Sequence, residues 1–122
     1  MLDKYITKTE EFGSINVSEE VIISIVVNAI NEVEGVAGLA NTAGAELAEL
    51  VGLKTIPKGV KVSFVDDHIV VDAIITVLYG SNVLKVARNA QEHVSSVIES
   101  GTGFLNSVVN IHVSGISFDK NS

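Results

Sequence analysis

Three histidines, and one carboxylate set in an apolar run, are the side chains of this sequence best suited to chemistry. His68 follows directly on Asp66 and Asp67. An imidazole beside two carboxylates can ligate a divalent cation or form an acid–base pair. The same residues also make an ordinary solvated turn, and this reading is preferred because loops collect polar residues. His93 stands next to Glu92 in a helical pattern and is expected on the wet side. His112 alternates with Val109, Ile111 and Val113, so it should face the other side of its strand. Asp72 interrupts a run of mostly aliphatic residues, and a carboxylate in such surroundings is a candidate general base. The simpler reading puts it on an outward face, opposite Lys61 or His112, with Thr76 and His68 as polar neighbours. Asp72, Thr76, Asn110 and His112 are accordingly assigned to one sheet face as a candidate interaction surface.

Stronger chemical signatures are missing. There is no cysteine, hence no disulfide, no thiolate nucleophile and no Cys-ligated zinc. Neither H-E-x-x-H nor G-x-S-x-G occurs, and no paired metal-ligand spacing is found. No catalytic residue, cofactor-binding residue or metal ligand is assigned, and the chain is expected not to be an enzyme. Gly35-Val36-Ala37-Gly38 has the outline of a nucleic-acid-clamping G-x-x-G loop. Glu32 and Glu34 flank it, however, and no Lys or Arg lies between Lys8 and Lys54. It reads as a helix stop followed by a close approach. Gly101-Thr102-Gly103 ends a helix rather than opening one, so it is not a phosphate loop.

The elements that must position these residues follow from periodicity. Residues 1–11 are polar and mixed in charge and read as a flexible tail. Alternation over residues 13–17 indicates a short strand. Ser18 caps a helix running to about Val33, with Glu19 and Glu20 in its first turn, where the helix dipole favours carboxylates. Its polar positions, Ser24, Asn28, Asn31 and Glu32, form one narrow stripe, so most of its girth must be covered. Gly35 ends it, and residues 36–40 form a short apolar link, extended in part. Asn41 or Thr42 opens a second helix through Leu53. Residues 60–65 and 68–79 form two strands around the Asp66-Asp67 turn, the second apolar on both faces and therefore central. A third helix spans residues 83–100 and stops at Gly101, with Leu84, Ala87, Val94 and Ile98 on its apolar flank, Val83, Val86, Ala90 and Val97 beside them, and Lys85, Arg88, Asn89, Glu92, Ser96 and Glu99 mostly outward. A last strand begins at Val108 and passes a bulge at Gly115. The order β-α-α-β-β-α-β defines an α+β fold, a small mixed sheet with helices mainly on one face. Residues 12–118 form its single domain, and 119–122 are a second tail.

Composition narrows the partners. The chain has 122 residues, 47% of them hydrophobic, and a formal charge of -7. Eight cationic residues in an acidic chain argue against nucleic acid. No apolar run reaches the roughly 18–20 residues that span a bilayer, so no membrane insertion is expected. The start of the chain lacks a signal-peptide layout, and a cytoplasmic setting is expected. The apolar content exceeds what one face per element needs, which points to cover by another protein chain.

Taken in order, several segments resemble the alkaline-shock protein family, envelope stress response proteins of Gram-positive bacteria. They are Gly13-Ser14-Ile15-Asn16-Val17-Ser18-Glu19-Glu20-Val21-Ile22, Glu32-Val33-Glu34-Gly35-Val36-Ala37-Gly38-Leu39, Lys58-Gly59-Val60-Lys61-Val62, and Val70-Val71-Asp72 leading to Leu78-Tyr79-Gly80. Val86-Ala87-Arg88-Asn89-Ala90-Gln91-Glu92-His93-Val94 and Val109-Asn110-Ile111-His112-Val113-Ser114-Gly115-Ile116-Ser117-Phe118 complete the set. The resemblance implies a non-enzymatic cytoplasmic scaffold that self-associates and is recruited to the inner face of the membrane by a membrane-anchored protein. An alternative is a regulatory protein binding a metabolic enzyme, as in lipid-precursor synthesis. The acidic, glycine-interrupted segment 41–55 departs from the more basic loop of many relatives. Filter binding to RNA at low salt should detect no complex; tight, salt-sensitive retention would overturn the charge argument.

Overall fold

The computed structural model describes residues 5–39 and 59–118. In chain order they form β1 (Tyr5–Glu10), β2 (Gly13–Ser18), α1 (Glu19–Asn31), β3 (Val36–Leu39), β4 (Val60–Val65), β5 (His68–Leu78), α2 (Val83–Thr102) and β6 (Ser107–Ser117). The class is α+β, with a mixed four-stranded sheet and a separate β1–β2 hairpin. The helix expected over residues 41–53, its Pro57 connector and the tail at 119–122 lie outside the described residues.

β5 organises the sheet. Its odd-numbered peptide groups point to β6: Ile69 N–H donates to Asn106 C=O, and Tyr79, one residue past the strand, donates to Ser117 C=O. Its even-numbered groups point the other way: Ile74 N–H donates to Gly59 C=O and Leu78 N–H to Gly35 C=O. β4 and β3 therefore share one edge of β5, end to end and both antiparallel, and β6 takes the other edge in parallel register. A parallel neighbour needs a crossover, which α2 supplies. β6 carries the expected irregularity, a register shift between Val113 and Gly115.

One face of this sheet meets both helices. Ile69, Val71, Ala73, Ile75 and Val77 of β5 and Val60 and Val62 of β4 are buried there. Ile22, Val26, Ala29 and Ile30 of α1 and Val86, Ala90, Val94 and Ile98 of α2 face them. The spacing of the α2 set by fours is one helical stripe. Burying each Val or Ile of this set contributes about 1.5–3 kcal/mol. α1 starts as expected: the Ser18 side chain accepts from Val21 N–H, with Glu19 and Glu20 in the first turn. Its polar stripe of Ser24, Asn28, Asn31 and Glu32 is exposed, and Ile23, Ile25 and Val27 are half-buried on its flanks.

Four expectations need correction. Residues 5–10 are not a tail but a strand, with Ile6 paired to Val17 and buried against the core. Lys8, Glu10 and Glu11 hid this alternation. The residues 13–17 strand exists, but it pairs with β1 rather than joining the main sheet. α2 continues through Gly101 and stops at Gly103, which adopts φ 83° and donates its N–H to Glu99 C=O. Either glycine could have ended the helix, and only Gly103 takes the left-handed conformation. Leu84, placed on the buried flank, is instead exposed, because the core stripe starts at Val86.

Gly35 marks a close approach between the end of α1 and α2. Its φ is +96°, and a Cβ there would lie 2.6 Å from Val86 Cγ2. The Gly35-to-Gly38 segment is thus a helix stop leading into β3, as its acidic flanks imply. A Gly35→Ala change should destabilise the chain by about 2–4 kcal/mol, combining left-handed backbone strain with overpacking. Denaturant unfolding measures it, and a change under about 0.5 kcal/mol would contradict this packing account.

Candidate functional site

The face of β5 turned away from the helices carries His68, Val70, Asp72, Ile74, Thr76 and Leu78. β6 adds Val108, Asn110 and His112 to it, since Val70, Asp72 and Ile74 stand beside them in register. β4 adds Lys61, which pairs with Asp72 from the opposite edge. Alternation and strand order alone bring these residues together.

Three of the four assigned residues meet at one carboxylate oxygen. Asn110 Nδ2 donates to Asp72 Oδ1 over 3.1 Å. His112 Nε2 lies 3.6 Å from the same oxygen. That distance is an electrostatic contact but too long for a hydrogen bond, and His112 Nε2 is buried without a hydrogen-bond partner. The Asp72 side chain is 19% exposed and that of His112 31%. Thr76 stands apart, donating to Gly38 C=O over 3.4 Å and so tying β5 to β3. Asp72 thus has the outward, half-covered position beside His112 and Lys61 that the simpler reading gave it. The group can accept and donate hydrogen bonds at a half-buried surface. Among the described residues, no group of three or more His, Cys, Asp or Glu could hold a metal ion.

The other two histidines are elsewhere. His68 Nδ1 is 3.3 Å from Asp67 Oδ1 in the exposed β4–β5 turn. His93 is on the wet side, as expected, but it also makes a contact that its own neighbourhood does not announce. Its Nε2 lies 2.8 Å from Glu32 Oε1, linking the middle of α2 to the end of α1. No local pattern signals this contact.

Sequence reasoning also missed two surface features. Tyr79 and Phe118 stack with ring centroids 4.8 Å apart at the end of β5 and β6, both mostly exposed. Phe12 tops the β1–β2 hairpin at 95% exposure. Tyr79 and Phe118 each stand one residue past the end of their strand, and Phe12 lies in the turn between β1 and β2. Among the described residues, no helix is long and apolar enough to cross a membrane.

The fold is shared with known structures. A doubly substituted MamM CTD matches with a TM-score of 0.51 at 18% identity, covering 81% of this chain and 94% of that one. The copper form of MamM CTD also matches at 0.51, with 16% identity over 84% of this chain and 91% of its own. At such identities the likeness is one of fold alone. The sequence gives the family: residues 7–118 match the alkaline shock protein 23 family, described as having a cell envelope-related function, and the chain belongs to it. A curated relative, the uncharacterized protein YqhY of Bacillus subtilis (strain 168), is 39% identical over 62 residues. That match covers 51% of this chain and 46% of YqhY, so it spans less than half of the relative's length.

The Glu32–His93 link joins two exposed side chains, and such pairs are usually worth about 0.2–1 kcal/mol. A double-mutant cycle with Glu32→Gln and His93→Gln should return a coupling energy in that range. A value above about 2 kcal/mol would mean that the link, rather than the apolar stripe, sets the helix pairing.

Proposed function

We propose that this chain is a non-catalytic interaction protein of the cell envelope, working through protein–protein contacts beside the membrane. The observation that carries this reading is the half-covered sheet face opposite the helices. There the Asp72, Asn110 and His112 group lies among Val70, Val108 and Val65, the last two substantially exposed. Polar groups that fix orientation, set among apolar side chains, are the composition of a protein contact surface. The envelope-related description of the family supports the setting. A membrane-anchored protein is the partner this reading takes first, with copies of the same chain as a second kind of contact on the same face.

The way Asp72 is used supports the non-catalytic part of this reading. Its Oδ1 is already engaged by the Asn110 amide, and His112 stands too far away to share a proton directly. An Asp72→Asn variant should therefore retain the cellular role.

The test is capture of partners by the tagged full chain, with the bound proteins identified by mass spectrometry. An Asp72→Lys, Asn110→Lys variant should lose at least about tenfold in capture, as expected for centrally placed contact residues, while keeping its unfolding midpoint. A membrane-anchored protein among those lost supports the reading, and a metabolic enzyme in its place favours the regulatory alternative. Undiminished capture by the folded variant would remove the sheet face from the function.

A further inference from the structure

β6 is eleven residues long and pairs with β5 along one edge. Among the described residues, β5 is its strand partner, and no strand pairs with its other side. The bond from Ile69 N–H to Asn106 C=O fixes which groups are engaged. In a parallel ladder, alternate residues turn their peptide groups to the partner. Val108, Asn110 and His112 therefore face β5, and Ser107, Val109, Ile111 and Val113 turn theirs outward. The outward Val109 C=O is met by a side chain: Gln91 Nε2 donates to it over 3.1 Å.

Exposed edges are normally guarded by charged residues, by proline or by shortness. From Ser107 to Ser117 there is no Lys, Arg, Asp, Glu or Pro. Beside this edge runs α2. Gln91, Glu92, Ser95, Ser96 and Glu99, with Ser107 and Val109, line an open groove of about 470 Å³. The Oγ atoms of Ser95 and Ser107, 3.2 Å apart, tie its walls together. A strand edge on one side and a helix on the other is the geometry in which an extended peptide adds to a sheet.

We propose that this groove receives an extended, basic segment of a partner protein as an added strand. Its main chain pairs with the outward groups of Val109 and Ile111, and one N–H replaces the Gln91 amide at Val109. Its Lys or Arg side chains meet Glu92 and Glu99. Charge selects this occupant: the lining holds two carboxylates and no cation. A second copy paired edge to edge would bring its own Glu92 and Glu99 to the same seam, on a chain of net charge -7. The proposal rests on the reading that the chain works through protein contacts, and it adds the chemistry of one partner segment.

A labelled, end-blocked octapeptide of alternating Lys and Val, titrated with the full chain at low salt, tests it by fluorescence anisotropy. Saturable binding is expected, weakened at least about tenfold by Glu92→Lys with Glu99→Lys. Both residues are exposed, so the fold should persist, and circular dichroism checks this. The same peptide with every backbone amide N-methylated keeps its charges and should not bind. Binding that survives N-methylation means adsorption to acidic residues and overturns the proposal, as does no binding of the parent peptide. A dimer in sedimentation, with the Val109 and Ile111 amides protected from hydrogen exchange, would give the edge to a second copy and also overturn it. Asp72 and Asn110 are untouched in these arms. Partner capture that persists without peptide binding therefore removes the groove and leaves the sheet-face reading standing.

Discussion

The hydrogen bonding of β5 on both edges is the constraint from which the other elements take their places. A strand paired on one edge leaves a row of peptide groups to water, whereas β5 spends its odd groups on β6 and its even groups on β4 and β3. Such a strand must be central, and its core-facing residues Ile69, Val71, Ala73, Ile75 and Val77 are all fully buried. The parallel pairing with β6 forces a long crossover, so α2 has to lie across the sheet. α1 then packs beside α2, and Gly35 sits where the two helices and β3 converge, with no room for a side chain against Val86.

Much of this is legible in the residues. The run from His68 to Leu78 is apolar on both faces, which only a central strand requires, and the polar positions of α2 predict its wet side correctly. Features with no local signature are harder. The Glu32–His93 link joins residues far apart in the chain, and nothing in either neighbourhood announces the other. The Asp72–Asn110 contact becomes readable once β5 and β6 are placed in parallel register, because the register puts the two side by side. β1 was obscured by charge: Lys8, Glu10 and Glu11 look like a solvated tail, whereas the pairing of Ile6 with Val17 decides the outcome. The end of α2 shows a third kind of limit. Gly101 and Gly103 are equally good stops by type, and backbone conformation alone separates them.

The sheet presents two chemically different surfaces. Its outer face offers side chains, with the Asp72 carboxylate bonded to the Asn110 amide, near the His112 imidazole, and with Lys61 across the strand. Among the described residues, the outer edge of β6 offers main chain, with side-chain chemistry supplied by α2. The two differ in what a substitution can do: face residues can be exchanged one by one, whereas edge groups belong to the backbone and answer to conformation. In a family defined by an envelope-related function, both surfaces belong to an acidic chain, which disfavours bare anionic surfaces as direct contacts.

The pairings of β5 also differ in how much chain each one closes. The β4–β5 turn closes over two residues, Asp66 and Asp67, so this hairpin costs the least loop entropy of any pairing in the four-stranded sheet. β6 pairs with β5 across the whole of α2, and β3 meets β5 only across a long stretch of chain. The irregularities follow the same division. The hairpin register runs unbroken from Val60 to His68, whereas β3 is shifted between Val36 and Gly38 and β6 between Val113 and Gly115. The register shifts fall on the strands paired across long connections, and the two-residue hairpin keeps its ladder intact.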